Sequence, residues 1–471
     1  MNATSKRQGT VAQEPAAART APRSAGITGS AARDIFKNRD FRLLWTGEGI
    51  SLLGDQFYLI ALPWLVLQLT GNAFAMGTVL ALAAIPRALF MLLGGALTDR
   101  FSPRVLMLGS NLGRLALVAT LATLTLTGVV ELWMLYAFAL LFGLADAFFF
   151  PAQSAMVPRL VGNDHLQTGN AIIQGTAQLS MFVGPALAGT LIAVLDGGSG
   201  AAAFHDVRGI GIAFALDAAS FLASVIALSL MRLSRGDAIA GAAKAQSVLS
   251  SIGEGLSAMW KDHVLRYYFL LIAAANFLIS GPFSVGIPVL AHTRYSGGAA
   301  AFGIILSTYG AGSLAGVLLA GSTCRPPERR FPALMLGLTA FMGVSLVLLG
   351  VMPAITPAAI VAAAMGMAQG YVVIQFITWL QRRTPERMLG RTMSLLMFAV
   401  VGLAPVSSTV AGALIQISAT AVLMGAGVLM VIVIAVGSLS PSVWRLGRET
   451  HQDDEVLSAG QMVEPQLQQV A

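Results

Sequence analysis

The stretch Gly94–Leu106, GGALTDRFSPRVL, decides how this chain is read. Asp99, Arg100 and Arg104 form an isolated knot of charge in it, with oily sequence on both sides. AMGTVLALAAIPRALFMLL precedes it and VLMLGSNLGRLALVATLATLTL follows from its last two residues. At ~1.5 Å per residue, each run is about long enough to cross a hydrocarbon core ~30 Å thick. A few charged residues between two such runs make a membrane hairpin with its turn in water. Applied outward, the same length predicts spans near 42–70, 75–98, 104–128, 132–157, 168–195 and 209–232. It predicts six more near 265–291, 300–322, 331–352, 356–380, 390–416 and 419–441. Between the two groups lies a polar, amphipathic loop at 233–264. The expected fold is an all-α membrane protein of twelve transmembrane helices.

Composition supports that class and excludes others. Only 11% of the 471 residues are charged and mean hydropathy is +0.75, against about 25% charged in a soluble domain. The net charge of +7 is not gathered with aromatics on one face, so nucleic acid is not an expected partner. One cysteine, Cys324, and five histidines without metal-ligand spacing leave no case for a metal centre or other cofactor. No nucleophile–base pair or nucleotide loop argues for an enzyme. Residues 1–40 lack the apolar core of a signal peptide. They and residues 442–471 read as disordered cytoplasmic tails. The domains expected between them are a six-helix half at 41–232, the loop, and a second half at 265–441.

Orientation follows from lysine and arginine. With the N-terminus inside, all but four of the 29 fall in the tails, the cytoplasmic turns and the central loop. Arg208 and Arg294 fall outside, and Arg87 and Arg114 within spans. Both termini are therefore expected in the cytoplasm of a bacterial cell, with the chain multi-pass in its inner membrane. The halves also echo each other: Ala75–Leu80 (AMGTVL) and Ala301–Leu306 (AFGIIL) stand 226 residues apart. The same offset carries Gly95 onto Gly321 and Arg104 onto Arg330. Repeated halves with a substrate site near the midplane are a common transporter plan.

The opening stretch resembles the cytoplasmic signature of the major facilitator superfamily, G-x-x-x-D-R-x-G-x-R-R. Gly95, Asp99, Arg100 and Arg104 match it, while Ser102 and Val105 depart from it. The resemblance implies a twelve-helix fold of two pseudo-symmetric halves. It also implies a latch, in which Asp99 faces the N-terminus of the span beginning near Gly390–Ser394 and holds the outward-open state. An anion is favoured at such a helix end, and Gly95 allows close helix approach. The second-half counterpart carries Arg325 instead of the acid, so no equal latch is expected there. A finer resemblance runs from about Asn38 to Pro441. It includes SLLGDQFYLIALPWLV, LADAFFFPAQSAMVPRLV and LQRRTPERMLGRTMSL, and is similar to the bacterial branch of macrolide-efflux and enterobactin exporters. Ser180–Gly189 (SMFVGPALAG) is similar to the antiporter signature GxxxGPxxGG, matching at Gly184, Pro185 and Gly189 but not at Ser180 or Ala188. These likenesses imply proton-driven export of amphipathic small molecules such as macrolides or siderophore-like metabolites, by a monomer in the bilayer. Import, lysophospholipid flipping and a non-transporting sensor stay open as alternatives.

Six ionisable residues fall within spans: Glu48, Asp55, Arg87, Arg114, Asp146 and Asp217. Such a residue costs ~2.5–3.5 kcal/mol at a helix centre on insertion scales, so it is usually paired or functional. Counted from the cytoplasmic ends, Asp55, Arg87, Arg114 and Asp146 lie ~15–19 Å deep. Four acids face two bases, and an acid left without a cation is a candidate to exchange protons. Asp55 is the first choice for coupling, with Arg87 its expected partner. Asp146 with Arg114 is expected as a second, structural pair, Asp217 as peripheral, and Glu48 as a residue of the inner mouth. The second half offers Asn276, Tyr309, Gln369 and Gln375 as cavity candidates, with Phe277, Tyr371 and Phe376 as aromatic neighbours.

Overall fold

The structure is a computed structural model, described for residues 33–98, 102–195, 207–232, 263–322, 327, 330–383 and 402–439. The helices are α1 (Arg39–Thr70), α2 (Ala73–Thr98), α3 (Pro103–Leu126), α4 (Leu132–Leu195), α5 (Arg208–Leu230) and α6 (His263–Thr293). They continue with α7 (Gly298–Ser322), α8 (Phe331–Val351), α9 (Ile355–Arg383), α10 (Ala404–Ile415) and α11 (Ala419–Ser438). Eleven membrane-length apolar spans lie among the described residues, α4 supplying two of them. The shorter α10 is the last part of the span expected at 390–416, whose first part lies outside the described residues. So do residues 1–32, the C-terminal tail and most of the central loop. Contrary to the disorder expected up to residue 40, residues 33–35 are helical and Ile35 is buried against the first helices.

Local sequence sets the helix ends. The Asn38 side-chain oxygen accepts from the backbone N–H of Asp40 (2.9 Å) and Phe41 (3.3 Å), a cap contributing about 1 kcal/mol. Gly71 closes α1 at φ 60°, a left-handed conformation that favours glycine, and donates to the Leu67 carbonyl. Ser418 caps α11 by accepting from the Ala421 N–H at 3.2 Å.

Continuous helical backbone through α4 merges two expected spans, 132–157 and 168–195, yet the chain turns back within it. A straight helix of 64 residues would reach ~96 Å, about three hydrocarbon cores. Contacts along α1 show the reversal. Asn38 donates to the Leu160 carbonyl and Gln153 donates to Glu48, so residue numbers fall along an outgoing leg, Leu132–Val161. Trp45 donates to Thr176 and Gly184 packs on Gln56, so they rise along a returning leg, Thr168–Leu195. The near face of the bundle is the one where α1 begins, and the far face the one where it ends.

The first five helices pack mainly on one another, α1 on α5 and α4, α3 on α5, and α2 on α4. The later helices do the same, α7 on α9, α8 on α11, and α6 on α10 and α11. Two seams join the sets. In one, the returning leg of α4 meets α7, with the backbones so close that a Cβ on Gly303 would lie 3.1 Å from Gly189 Cα. In the other, α2 meets α10, and a Cβ on Gly77 would lie 3.2 Å from Gly412 Cα. Gly77 and Gly303 are the paired glycines of the internal repeat, so the echo in sequence marks the two main seams between the sets. At the far face Gln416 donates to Asn72 (2.7 Å) and the Trp64 and His292 rings meet edge-on at 5.4 Å. Exposed leucines, isoleucines and valines such as Leu89, Leu318 and Ile360 cover the outside, as suits a surface bathed in lipid.

Candidate transport site

A cavity of about 510 Å³ opens between the two sets, lined chiefly by α6, α7, α8 and α9. From the first set, α1 contributes Leu59 and Pro63, α2 Leu80, and the returning leg of α4 Met181. Its polar lining consists of Asn276, Ser280, Ser284, Thr339 and Gln369, with Tyr268 and Tyr309 presenting rings; the rest is aliphatic, Met or Phe. Among the described residues no Asp, Glu, Lys, Arg or His lines it. An apolar wall with a few fixed amides and hydroxyls suits an amphipathic molecule.

Of the expected cavity residues, Asn276, Tyr309, Gln369 and Phe376 line the space, whereas Gln375, Phe277 and Tyr371 do not. Gln375 is buried instead. The reason is helical phase: Val372, Val373 and Phe376 share the face of Gln369, and six residues carry Gln375 some 240° around the helix. Sequence reading missed Tyr268, Ser280, Ser284 and Thr339, which stand in apolar runs without a distinguishing pattern.

The charges form a chain inside the first set. Arg87 Nε is 2.7 Å from Asp146 Oδ2, and Arg114 Nη1 is 3.2 Å from Asp146 Oδ1. Arg114 Nη1 also lies 4.0 Å from Asp55 Oδ1. The expected Asp55–Arg87 pair is therefore replaced: Arg87 goes to Asp146, and Asp55 is served by Arg114. Equal depth predicted a pairing, but depth says nothing about which way a side chain points around its helix. Nor is Asp146–Arg114 a separate pair, since Asp146 bridges both arginines.

Arg114 is the hub. Its side chain is only 2% exposed, against 32% for Asp55, 23% for Asp146 and 43% for Arg87. It donates to Asn111 Oδ1 at 2.6 Å, and Asn111 donates to Ser224 Oγ at 2.9 Å. Phe149 and Phe221 stack on its guanidinium, 4.2 and 4.8 Å from ring centroid to Cζ, contacts that favour a cation when desolvated. Asn111 could have been found from sequence, being one helical turn before the arginine.

The remaining two acids are placed otherwise than expected. Glu48 is not at a solvated mouth but buried, accepting from Gln153 Nε2 at 2.6 Å, with its Oε2 unpartnered among the described residues. Asp217 is not peripheral but fully buried against α1.

The latch residues are described only in part. Gly95 belongs to α2, while Asp99, Arg100 and the segment from Gly390 to Ser394 lie outside the described residues. Arg104 donates to the carbonyls of Leu228 (2.8 Å) and Ser229 (2.7 Å), so it caps the C-terminal end of α5, where a cation is favoured. The antiporter-like residues lie in packing positions. Gly184 sits on Gln56 and Leu53 of α1, while Pro185 and Gly189 press their backbones against Gly303. Among the described residues no three His, Cys, Asp or Glu side chains form a metal-binding group.

An all-helical membrane bundle of two interlocked sets, with a cavity between them and paired charges inside one of them, has the architecture of a secondary transporter. The chain belongs to the Major Facilitator Superfamily, whose family model matches residues 44–409. It is 26% identical over 367 residues to the multidrug efflux pump Tap of Mycolicibacterium fortuitum, covering 77% of this chain and 85% of that protein. It is 22% identical over 315 residues to macrolide efflux protein A of Streptococcus pyogenes, covering 66% and 73%. The structure of a bacterial homologue of the lysosomal transporter Spinster superposes with a TM-score of 0.63 at 13% identity, covering 91% of this chain and 99% of that one. The nucleoside transporter NupG gives 0.64 at 11% identity, covering 85% and 98%.

Proposed function

We propose that this protein is a proton-coupled exporter of uncharged or weakly charged amphipathic molecules of the macrolide kind. One observation carries this reading. Leu59 lines the apolar cavity, and Asp55, one helical turn nearer the N-terminus on the same face of α1, meets the paired charges. A change of charge at Asp55 is thereby coupled to the helix that forms the cavity wall. Protonating Asp55 weakens its hold on Arg114 and shifts the hub's balance toward Asp146, which biases how α1 packs on α3 and α4. The efflux pumps among the relatives support the outward direction.

In this reading both termini are cytoplasmic in a bacterial inner membrane, so the near face is the inner one. The monomer works by rocking residues 41–232 against 265–441 about the two glycine seams. Asp99 latches the inner face when the outer one opens, as its place in the signature implies. Protons, a small molecule and lipid are its partners.

Inverted vesicles carrying the full-length protein test the proposal. Erythromycin added to acid-loaded vesicles is expected to release protons, read by a pH dye, and Asp55→Asn is expected to abolish the release. Undiminished release in Asp55→Asn would overturn the coupling role, and no release from the wild type would overturn antiport of this probe.

A further inference from the structure

The carboxylate of Asp217 has no task in the charge network just described, yet it is the most enclosed acid in the molecule's described part. Its residue is 0% exposed. One oxygen, Oδ2, has no hydrogen-bond partner among the described residues, and the other receives only a long bond of 3.4 Å from Ser220 Oγ. Ser220 is mainly committed to the Asp217 backbone carbonyl, at 2.7 Å. On α1 the position opposite is Gly54, where a Cβ would stand 2.8 Å from Asp217 Oδ1 and collide with Ser220. The missing side chain is therefore the space the carboxyl group occupies, directly beside Asp55 in the chain. One turn further along α1 comes Tyr58, whose buried hydroxyl is likewise unpartnered.

Charge counting sharpens the point. Asp55, Asp146, Arg87 and Arg114 cancel one another, so the excess carboxylates are Glu48 and Asp217. Glu48 has an amide donor from Gln153, and among the described residues Asp217 has no comparable donor. The titratable and charged groups that face it are Asp55 and Tyr58 from α1 and Arg114 from α3. From α4 comes Phe142, stacked on Tyr58 at 4.3 Å and 6.2 Å from Phe221, while Asp146 of that helix is held by the two arginines. An ionised carboxylate held there without a donor would carry an uncompensated charge in an apolar wall, whereas a carboxylic acid would carry none.

We infer that Asp217 is a second proton-exchanging carboxylate of the first helix set, lying behind α1 where its carboxyl group packs on Gly54 and trading its proton with Asp55, the next residue of that helix. Its use in export rests on the function proposed above; its proton binding does not. The site lies within the first set, away from the mostly second-set wall of the cavity, so proton and substrate do not compete for the same groups.

Infrared difference spectra of the purified full-length protein, recorded as pH is stepped across neutrality, test the inference without any substrate. The wild type is expected to show a carboxylic-acid C=O band that disappears on deprotonation and shifts in D2O. Asp217→Asn, which preserves volume against Gly54, is expected to lose one component of that band, and Asp217→Glu to restore it at a displaced frequency. Size-exclusion profiles and unfolding temperature check that the variants are folded. If the Asp217→Asn difference spectrum superimposes on the wild type, the inference is wrong. If the Asp217 component titrates while wild-type vesicles show no erythromycin-linked proton movement, the export reading fails and the proton site stands.

Discussion

The two helix sets carry the same internal repeat but different interiors. The first buries Glu48, Arg114 and Asp217 and links Asp55, Asp146 and Arg87 through Arg114. The second buries only Ser, Gln and apolar side chains among its described residues, and it supplies most of the cavity wall. A bundle with a linked chain of charges and two acids in excess has states that a proton can switch between. A bundle without charge can hold an apolar molecule without competing for its polar groups. On the exporter function proposed here, the difference assigns energy coupling to one set and substrate binding to the other, with α1 contributing to both the charge chain and the cavity wall.

Removing the hub should break the comparison most severely. Arg114→Leu leaves Asp55 without its nearest cation and Asp146 with one arginine. Breaking a buried pair in this way costs about 3–5 kcal/mol. The expected outcome is a steep fall in unfolding temperature in detergent and loss of proton-linked efflux. Adding Asp55→Asn, which neutralises the acid left without its cation, should recover part of the stability, a coupling that a double-mutant cycle reads directly. Strictly additive effects would mean the residues do not act as a network.

The seams come next. Gly303→Leu forces a side chain into the backbone of Pro185 and Gly189, and overpacking of this kind costs about 1–3 kcal/mol. Gly412→Leu does the same against Ala73, Phe74 and Gly77. Both are expected to lower efflux by a similar factor, because the seams are related by the repeat. If one variant exports normally, the two contacts are not equivalent hinges.

A smaller, more selective effect is expected in the cavity. Gln369→Leu should weaken apparent erythromycin affinity by up to about tenfold, the equivalent of losing a hydrogen bond worth ~0.5–1.5 kcal/mol. Unfolding temperature and proton exchange should be unchanged. A shift in proton exchange would contradict the separation of the two interiors.

Least of all should change at the surface. Lys37 and Asp34 form a 2.7 Å pair that is 75% and 50% exposed, and the Lys37 ammonium holds the Asp34 carboxyl below its usual range. The pair's contribution is present above the ordinary carboxylate range and fades as pH falls through the lowered value. Solvent screening makes it slight. Lys37→Ala is expected to leave unfolding temperature and efflux unaltered, and a clear effect would show that buried and exposed pairs here are not so different.

Sequence was most informative where one dimension suffices. Span length, the repeat at Gly77 and Gly303 and the identity of the membrane-embedded charges all follow from counting along the chain. Depth along a helix was legible too, and it put Asp55, Arg87, Arg114 and Asp146 at one level. Direction around a helix was not. Depth alone therefore pairs Arg87 with Asp55 rather than Asp146, puts Gln375 in the cavity and leaves Asp217 peripheral, and the helix rotations reverse all three.

The chain by itself determined that this is a membrane bundle of repeated halves with a surplus of acid in one of them, because hydrophobic length and charge are properties of residues. Tertiary structure alone decided which acids are neutralised and which are left over. Pairing depends on distances of a few ångströms between helices whose rotation about their own axes is fixed by packing, at places such as Gly54 and Gly303 where a neighbour fills the space of a missing side chain.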